Sequence, residues 1–239
     1  MAAWADELGC AAPALTAPQT TIVCHSPAFA HARVAFALAT TTACVVTVPA
    51  DWHATARAAL APLPPADAFD PQCLAGMFGE AVQQIVGPAW QGHVDADSFT
   101  PVQVQAPAEL QATRPLQPAD HGDLAALAAA CNPGEWEAST VDLDHPPVFG
   151  GVADGRLVAA GTLTAWRGRF WHVGIVTHPS YRRRGYGRAV ASAMTRYGLD
   201  RGWLLHYQTL QANAASVTIA RSLGYQQHAQ TLAIRLTPP

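Results

Sequence analysis

The chain contains no lysine, and all 14 of its basic residues are arginine. This excludes a lysine Schiff base and lysine self-acylation, and it leaves every cationic contact to a planar guanidinium suited to bidentate anion binding. Charge is sparse at 13% of residues, while 50% of the 239 residues are hydrophobic, which excludes a disordered chain and supplies a sizeable core. Long hydrophobic runs are also lacking. The most apolar stretch, Val34 to Val48, is interrupted by Thr40, Thr41 and Thr42 and is too short to span a bilayer. Cysteine is limited to five residues, with no C-x-x-C pair and no histidine at ligand spacing, so reduced, buried thiols and no metal are expected. No Gly-Lys-Ser/Thr occurs, which excludes a Walker A loop, and the G-x-G-x-x-G spacing of a dinucleotide fingerprint is absent. The N-terminus carries Asp6 and Glu7 where a secretory signal has positive charge, so a cytoplasmic location is expected.

What charge there is lies unevenly. Residues 1–110 hold two Arg against nine Asp and Glu, a net −7, whereas residues 111–239 hold twelve Arg against eight acids, a net +4. The second half is the anion-binding half. With the chain at −3 overall and the arginines gathered at one turn, neither nucleic acid nor a membrane is an expected partner, and the oligomeric state is left open.

Local signals divide the chain into an N-terminal α/β domain over residues 1–105 and a second domain over 111–239, joined near Pro107 and Pro115. In the first, Ser26-Pro27 predicts a helix to about Leu38, Ala43 to Val48 a strand, and Asp51 a further helix cap. Asp70-Pro71 opens a predicted helix in which Leu74, Met77, Phe78, Ala81, Val82 and Ile85 form one face, ended by Gly87-Pro88. Pro101 to Gln105 reads as a short strand. In the second domain the order is a strand at Thr113 to Leu116, a helix from Asp120 to Cys131, and an irregular or short helical stretch from Glu135 to Asp144. Three hairpin strands follow, Val148 to Ala153, Arg156 to Trp166 and Arg169 to Thr177, with turns at Asp154-Gly155 and Arg167-Gly168. A helix ending at Gly202, a strand from Trp203 to Thr209, a helix from Asn213 to Leu223 and a strand from Tyr225 to Leu236 complete it.

The segment running from Val173 through His178-Pro179 to Arg182-Arg183-Arg184-Gly185-Tyr186-Gly187-Arg188 joins a strand to an apolar helix. A helix start offers unpaired N–H groups and the positive end of its dipole, and the two glycines let the backbone close around an anion. The four arginines add charge to that nest, so the turn reads as a phosphate cradle.

The strand and helix order, together with Arg182-x-x-Gly185-x-Gly187 and, downstream, Asn213-Ala-Ala-Ser216 with Leu223-Gly224-Tyr225, resembles the GNAT superfamily of acyl-CoA-dependent N-acyltransferases over residues 111–239. The resemblance implies an α+β fold, a mixed but mainly antiparallel sheet flanked by helices, here with an N-terminal α/β accessory domain that is either unrelated or a degenerate copy of the same fold. It also implies acetyl-CoA as co-substrate. Ile175, Val176 and Thr177 would then present backbone groups to the pantetheine arm, the N–H groups from Arg183 to Arg188 would hold the pyrophosphate, and Asn213 and Ser216 would line the pantetheine. Asn213 also suits a plain helix N-cap.

In many members of the superfamily a tyrosine seven residues after the Asn protonates the leaving thiolate; here that position is Ala220. Tyr207 on the preceding strand is a candidate replacement, as is water, although a half-buried strand tyrosine is the commoner reading. His172 is the candidate general base, with an imidazole whose ordinary pKa lies near neutrality, although strand histidines are commonly structural. Glu135, with Glu137, Asp142, Asp144 and His145, falls where the superfamily borders its acceptor and would attract a cationic amine, unless the loop is only a solvated acidic surface. The expectation is an N-acetyltransferase that moves an acetyl group to a primary amine of a small molecule or peptide. The alternative, raised by Ala220, is a non-catalytic acyl-CoA-binding sensor or partner-binding module.

Overall fold

A computed structural model describes residues 2–29, 32–102, 110–145, 147–166 and 170–237. The chain divides into two compact units. The first contains residues 1–91, 209–214 and 227–239, and the second contains residues 92–208 and 215–226. Two stretches from beyond residue 111 thus join the first unit, the last strand among them.

In the first unit the strands are β1 (Thr20–Cys24), β2 (Val34–Ala39), β3 (Cys44–Val48), β4 (Val82–Val94, whose first ten residues belong here) and β10 (Gln226–Leu236). They lie in the order β1, β3, β2, β10, β4. β1 runs parallel to β3, β2 is antiparallel to β3, and β10 pairs antiparallel with β2 from Gln230 opposite Ala39 to Arg235 opposite Val34. The helices α1 (Ala2–Leu8), α2 (His53–Leu60), α3 (Pro65–Ala68) and α4 (Pro71–Gly76) surround it. Ala37, Val46, Leu60, Leu74, Phe78 and Leu232 meet in the core.

Two helix expectations fail in this unit. Ser26-Pro27 opens only a one-turn 3-10 helix at Pro27–Phe29, and the residues beyond Arg33 extend as β2 because both edges of that strand find partners. Asp70 does cap α4, accepting from the N–H groups of Gln72 and Cys73, but the helix stops at Gly76. Val82 and Ile85, placed on the same helical stripe by their spacing, are instead in β4, with Gly87-Pro88 inside the strand. Leu74, Met77 and Phe78 keep helical spacing to just past the end of α4, and the positive φ of Gly79 then turns the chain. Asp51 makes no cap; it pairs with Arg33 at 3.0 Å.

The second unit follows the expected order. Its strands are β5 (Leu110–Pro115), β6 (Val148–Ala153), β7 (Arg156–Trp166), β8 (Phe170–Thr177) and the start of β9 (Leu205–Leu210), in the order β9, β8, β7, β6, β5. β5 to β8 form an antiparallel meander and β9 runs parallel to β8. The helices are α5 (His121–Ala130), α6 (Pro133–Ser139), α7 (Tyr186–Leu199) and α8 (Ala214–Ser222). Leu124, Leu127 and Val141 pack onto Val148, Leu157 and Val176 on one face of the sheet, and α7 lies against β6, β7 and β8. Asp120 ties the entry of α5 to the sheet. It accepts from the Gln117 N–H at 2.7 Å and from both Arg114 terminal nitrogens at 2.7 and 2.8 Å, and that guanidinium holds its carboxyl down at about 2. The turn at Arg167-Gly168, the strand start at Arg169 and most of the strand expected at Pro101 to Gln105 lie outside the described residues.

Candidate active site

The site begins where two strands part. β8 and β9 are in register only at Trp171 opposite Leu205 and His172 opposite His206, while β8 continues alongside β7 to Thr177. Backbone polar groups alternate along a strand. The Trp171 N–H points to Leu204 at 2.9 Å, so those of Val173, Ile175 and Thr177 point the same way, into the widening gap. Val176, expected to serve there too, has its polar groups on the opposite edge facing Ala160, and its side chain is buried against α5. Of the three strand residues, only Ile175 and Thr177 offer backbone to a ligand in the gap.

At the end of β8 the chain makes a one-turn 3-10 helix, Pro179–Tyr181, capped by His178 Nδ1, which accepts from the Ser180 N–H at 3.2 Å. It then passes through Arg183 at φ 60° and Gly185 at φ 87° before α7 begins. Gly185 is the N-cap and, lacking a side chain, caps nothing. Its carbonyl accepts from the Ala189 N–H at 3.0 Å, the first i to i−4 bond of the helix, so the N–H groups of Tyr186, Gly187 and Arg188 precede it as first-turn donors. The left-handed φ at 185 is one that glycine adopts without steric cost. Gly187 is required for space: a Cβ there would stand 2.8 Å from Thr177 Oγ1 and 3.6 Å from Ile219 Cδ1. That contact also places α8 beside the start of α7.

The arginines divide into different roles. Arg182 points back and holds the loop, donating from Nε to the Thr177 carbonyl at 3.1 Å and from Nη2 to Glu135 at 2.7 Å. Arg183 is exposed at the tip. Arg184 lies over the Tyr181 ring at 5.4 Å, and Tyr181 donates to Asp154 at 3.2 Å. Arg188 reaches the C-terminus of α8, 3.4 Å from the Ser222 carbonyl. Tyr186 is fully buried and stacks edge-on with Tyr181.

The expected proton-handling residues are distributed around the gap. Tyr207 on β9 is buried, and its hydroxyl lies 3.0 Å from Ser216 Oγ on α8. Burial pushes its phenol up to about 12, so it stays protonated. Ala220, four residues beyond Ser216, is fully buried. His172 faces away from α7, on the side shared by its cross-strand partner Thr164, which reaches Thr140 at 3.3 Å. Its Nδ1 is sealed from solvent and makes no hydrogen bond among the described residues. Burial lowers its pKa to about 4, opposed by a hydrogen bond to the His206 backbone, so the expectation of titration near neutrality does not hold. Glu135, in the first turn of α6, is engaged by Arg182. Asn213 immediately precedes α8 in the 209–214 stretch and donates its N–H to the Leu210 carbonyl at 2.9 Å.

Sequence reasoning did not find the Arg182–Glu135 pair, because its partners are 47 residues apart, nor the Tyr207–Ser216 contact. Among the described residues no group of three or more His, Cys, Asp or Glu could hold a metal, and no helix is long and apolar enough to cross a membrane. The five cysteines are all free. Cys44 and Cys131 are buried, but Cys24 is exposed and Cys10 and Cys73 are half-buried, so the expectation of uniformly buried thiols is corrected.

Residues 149–233 match the family model of the GNAT acetyltransferases. That stretch contains β8, the arginine-glycine turn, Tyr207 and Ser216. No curated protein matches the chain. Among solved structures, a GNAT-family protein from Novosphingobium aromaticivorans is 24% identical, over 65% of this chain and 67% of that one, at a TM-score of 0.48. A GCN5-related N-acetyltransferase from Kribbella flavida is 21% identical, over 70% of this chain and 64% of that one, at 0.51. A glucosamine N-acetyltransferase region of a fungal multi-domain GH3 β-N-acetylglucosaminidase is 14% identical, over 69% of this chain and 23% of that one, at 0.52. The mixed, mainly antiparallel sheet flanked by helices matches the Kribbella and fungal structures in fold. This chain spans about two thirds of the first two proteins and less than a quarter of the third.

Proposed function

We propose that this chain, which resembles the GNAT superfamily and matches its acetyltransferase model over residues 149–233, moves an acetyl group from acetyl-CoA to a primary amine by direct transfer. The observation that carries this reading is the start of α7. Three first-turn N–H groups, an N-cap with no side chain and a glycine with no room for a Cβ stand at the mouth of an open strand edge. Backbone donors at a helix start and neighbouring guanidiniums suit the charge of a pyrophosphate.

In this reading the backbone from Arg183 to Arg188 holds the pyrophosphate and the exposed guanidiniums of Arg183 and Arg184 add charge around it. Ile175 and Thr177 receive the pantetheine arm along the β8 edge, with Ser216 contributing from the first turn of α8. Bound acetyl-CoA supplies an activated thioester. The chain holds that carbonyl for in-line attack, and such positioning can lower a barrier by about 7 to 11 kcal/mol. Backbone donors fixed in β8 are preorganised for the developing oxyanion.

His172 stands on the α6 side of β8 with its Nδ1 sealed and its ring hydrogen-bonded to the His206 backbone, so in this account it is a neutral, structural imidazole. Glu135, already neutralised by Arg182, supports the cradle in this account. Tyr207 remains the proposed group behind the leaving sulfur. The reading as a non-catalytic acyl-CoA-binding module rests on one feature, the buried Ala220 in place of the tyrosine. Titration calorimetry with acetyl-CoA tests the donor site: saturable binding that a Gly187→Ala variant weakens supports it, and no binding to the full chain refutes it.

A further inference from the structure

The position that lacks the usual tyrosine has a polar neighbour one turn earlier on the same helix. Ser216 and Ala220 are four positions apart in α8, so they share a face. Ile219, adjacent to Ala220 in that helix, lies beside Gly187, as do Ile175 and Thr177 of β8. Ala220 has no polar side-chain atom to offer. Ser216 does, and it is half-buried with the Tyr207 hydroxyl 3.0 Å from its Oγ. Tyr207 lies on β9 one residue past the last position where β8 and β9 are paired, at the root of the gap. Its ring is locked edge-on against Tyr225, whose own hydroxyl is 2.9 Å from Thr195.

We propose that Ser216 is the hydrogen-bond donor to the leaving sulfur and that Tyr207 positions it, donating to Ser216 Oγ so that the serine proton is directed toward the gap. This rests on the acetyl-CoA reading given above. In the step, the amine nitrogen attacks the thioester carbon, the C–N bond forms, and the C–S bond breaks with its electron pair passing to sulfur. Ser216 stabilises the thiolate by its hydrogen bond. The nitrogen sheds one proton and the sulfur takes one up, so amide and free thiol form with no net proton consumed. Tyr207 suits the role of a constant donor because it retains its proton through the physiological range.

The test reads the thiol itself and needs no acceptor. Free CoA is bound to the full-length protein and its thiol is titrated by the ultraviolet absorbance of the thiolate, in wild type, Ser216→Ala and Tyr207→Phe. The proposal expects the bound thiol to titrate about one unit lower in wild type than in Ser216→Ala. Tyr207→Phe, which keeps the ring packing, should fall between them, and Ser216→Thr should restore the wild-type value. Equal thiol pKa values in wild type and Ser216→Ala, with CoA bound in both, overturn the proposal and leave the donor site intact. Failure of wild type to bind CoA at all overturns the donor site, and the proposal with it.

Discussion

Arg182 joins the end of β8 to the start of α6: its guanidinium donates to the Thr177 carbonyl at 3.1 Å and to the Glu135 carboxylate at 2.7 Å. The arginine that opens the motif is thus turned inward, holding the turn on which the cradle is built. Both partners are about half exposed, so the pair is a modest contributor. Glu135→Gln should weaken acetyl-CoA binding roughly two- to fivefold with little change in kcat. If calorimetry and steady-state kinetics instead show unchanged binding and an activity reduced by orders of magnitude, Glu135 is the base and its role as a support is wrong.

Gly187 stands close against Thr177 in the cradle. Gly187→Ala should weaken acetyl-CoA binding about tenfold, because the new methyl meets Thr177 Oγ1 at 2.8 Å and moves the first-turn donors. The double variant Gly187→Ala with Thr177→Ala removes the opposing atom and should recover most of the loss. Calorimetry on the pair of variants decides this; no recovery would place the defect in the backbone rather than in that contact.

The neutral His172 makes stability depend on pH. Its folded pKa is lowered to about 4 from an ordinary 6.5, so between those values the unfolded chain binds more protons than the folded one. Stability therefore falls as pH drops through that window, and the native state is fully penalised below about 4. Denaturant midpoints for wild type should decline across it with a slope approaching about one proton, and His172→Gln should flatten that slope. Identical slopes for the two proteins would contradict the buried, neutral assignment.

The last strand cannot be separated from the first unit. β10 pairs with β2 from Gln230 to Arg235, and Leu232 and Ile234 are fully buried in the core that β3 and α4 complete. A fragment of residues 92–239 leaves β10 without β2 and exposes an apolar strand edge. It should be aggregated or lack a cooperative thermal transition by circular dichroism, where the full chain melts cooperatively. A monomeric, cooperatively folded fragment would show that β10 does not depend on that pairing.

The contrast between the two units shows what local sequence can carry. From Asp120 to Thr177 each strand or helix is bounded by its own turn residues and each strand pairs with its chain neighbour, so alternation and caps suffice to place it. In the first unit, β2 lies between β3 and β10, a partner nearly 200 residues distant, and a serine-proline cap gives no hint of that pairing. Likewise, the run from Leu74 to Ile85 fits a helical stripe, but the turn at Gly79 and the extended pairing of β4 override it. At the site, the glycine turn was legible because its backbone conformation constrains residue type. The Tyr207–Ser216 contact and the turning-in of Arg182 were not, since each depends on elements brought together by the fold.

Whether the turn from Arg182 to Arg188 serves an acetyl transfer is tested most directly by release of free CoA thiol from acetyl-CoA, measured with the full-length protein across a panel of primary amines. The predicted result is sustained release that requires both the protein and at least one amine, and that is reduced in Gly187→Ala. Acetyl-CoA binding without release by any amine in the panel would contradict it and leave a binding module in its place.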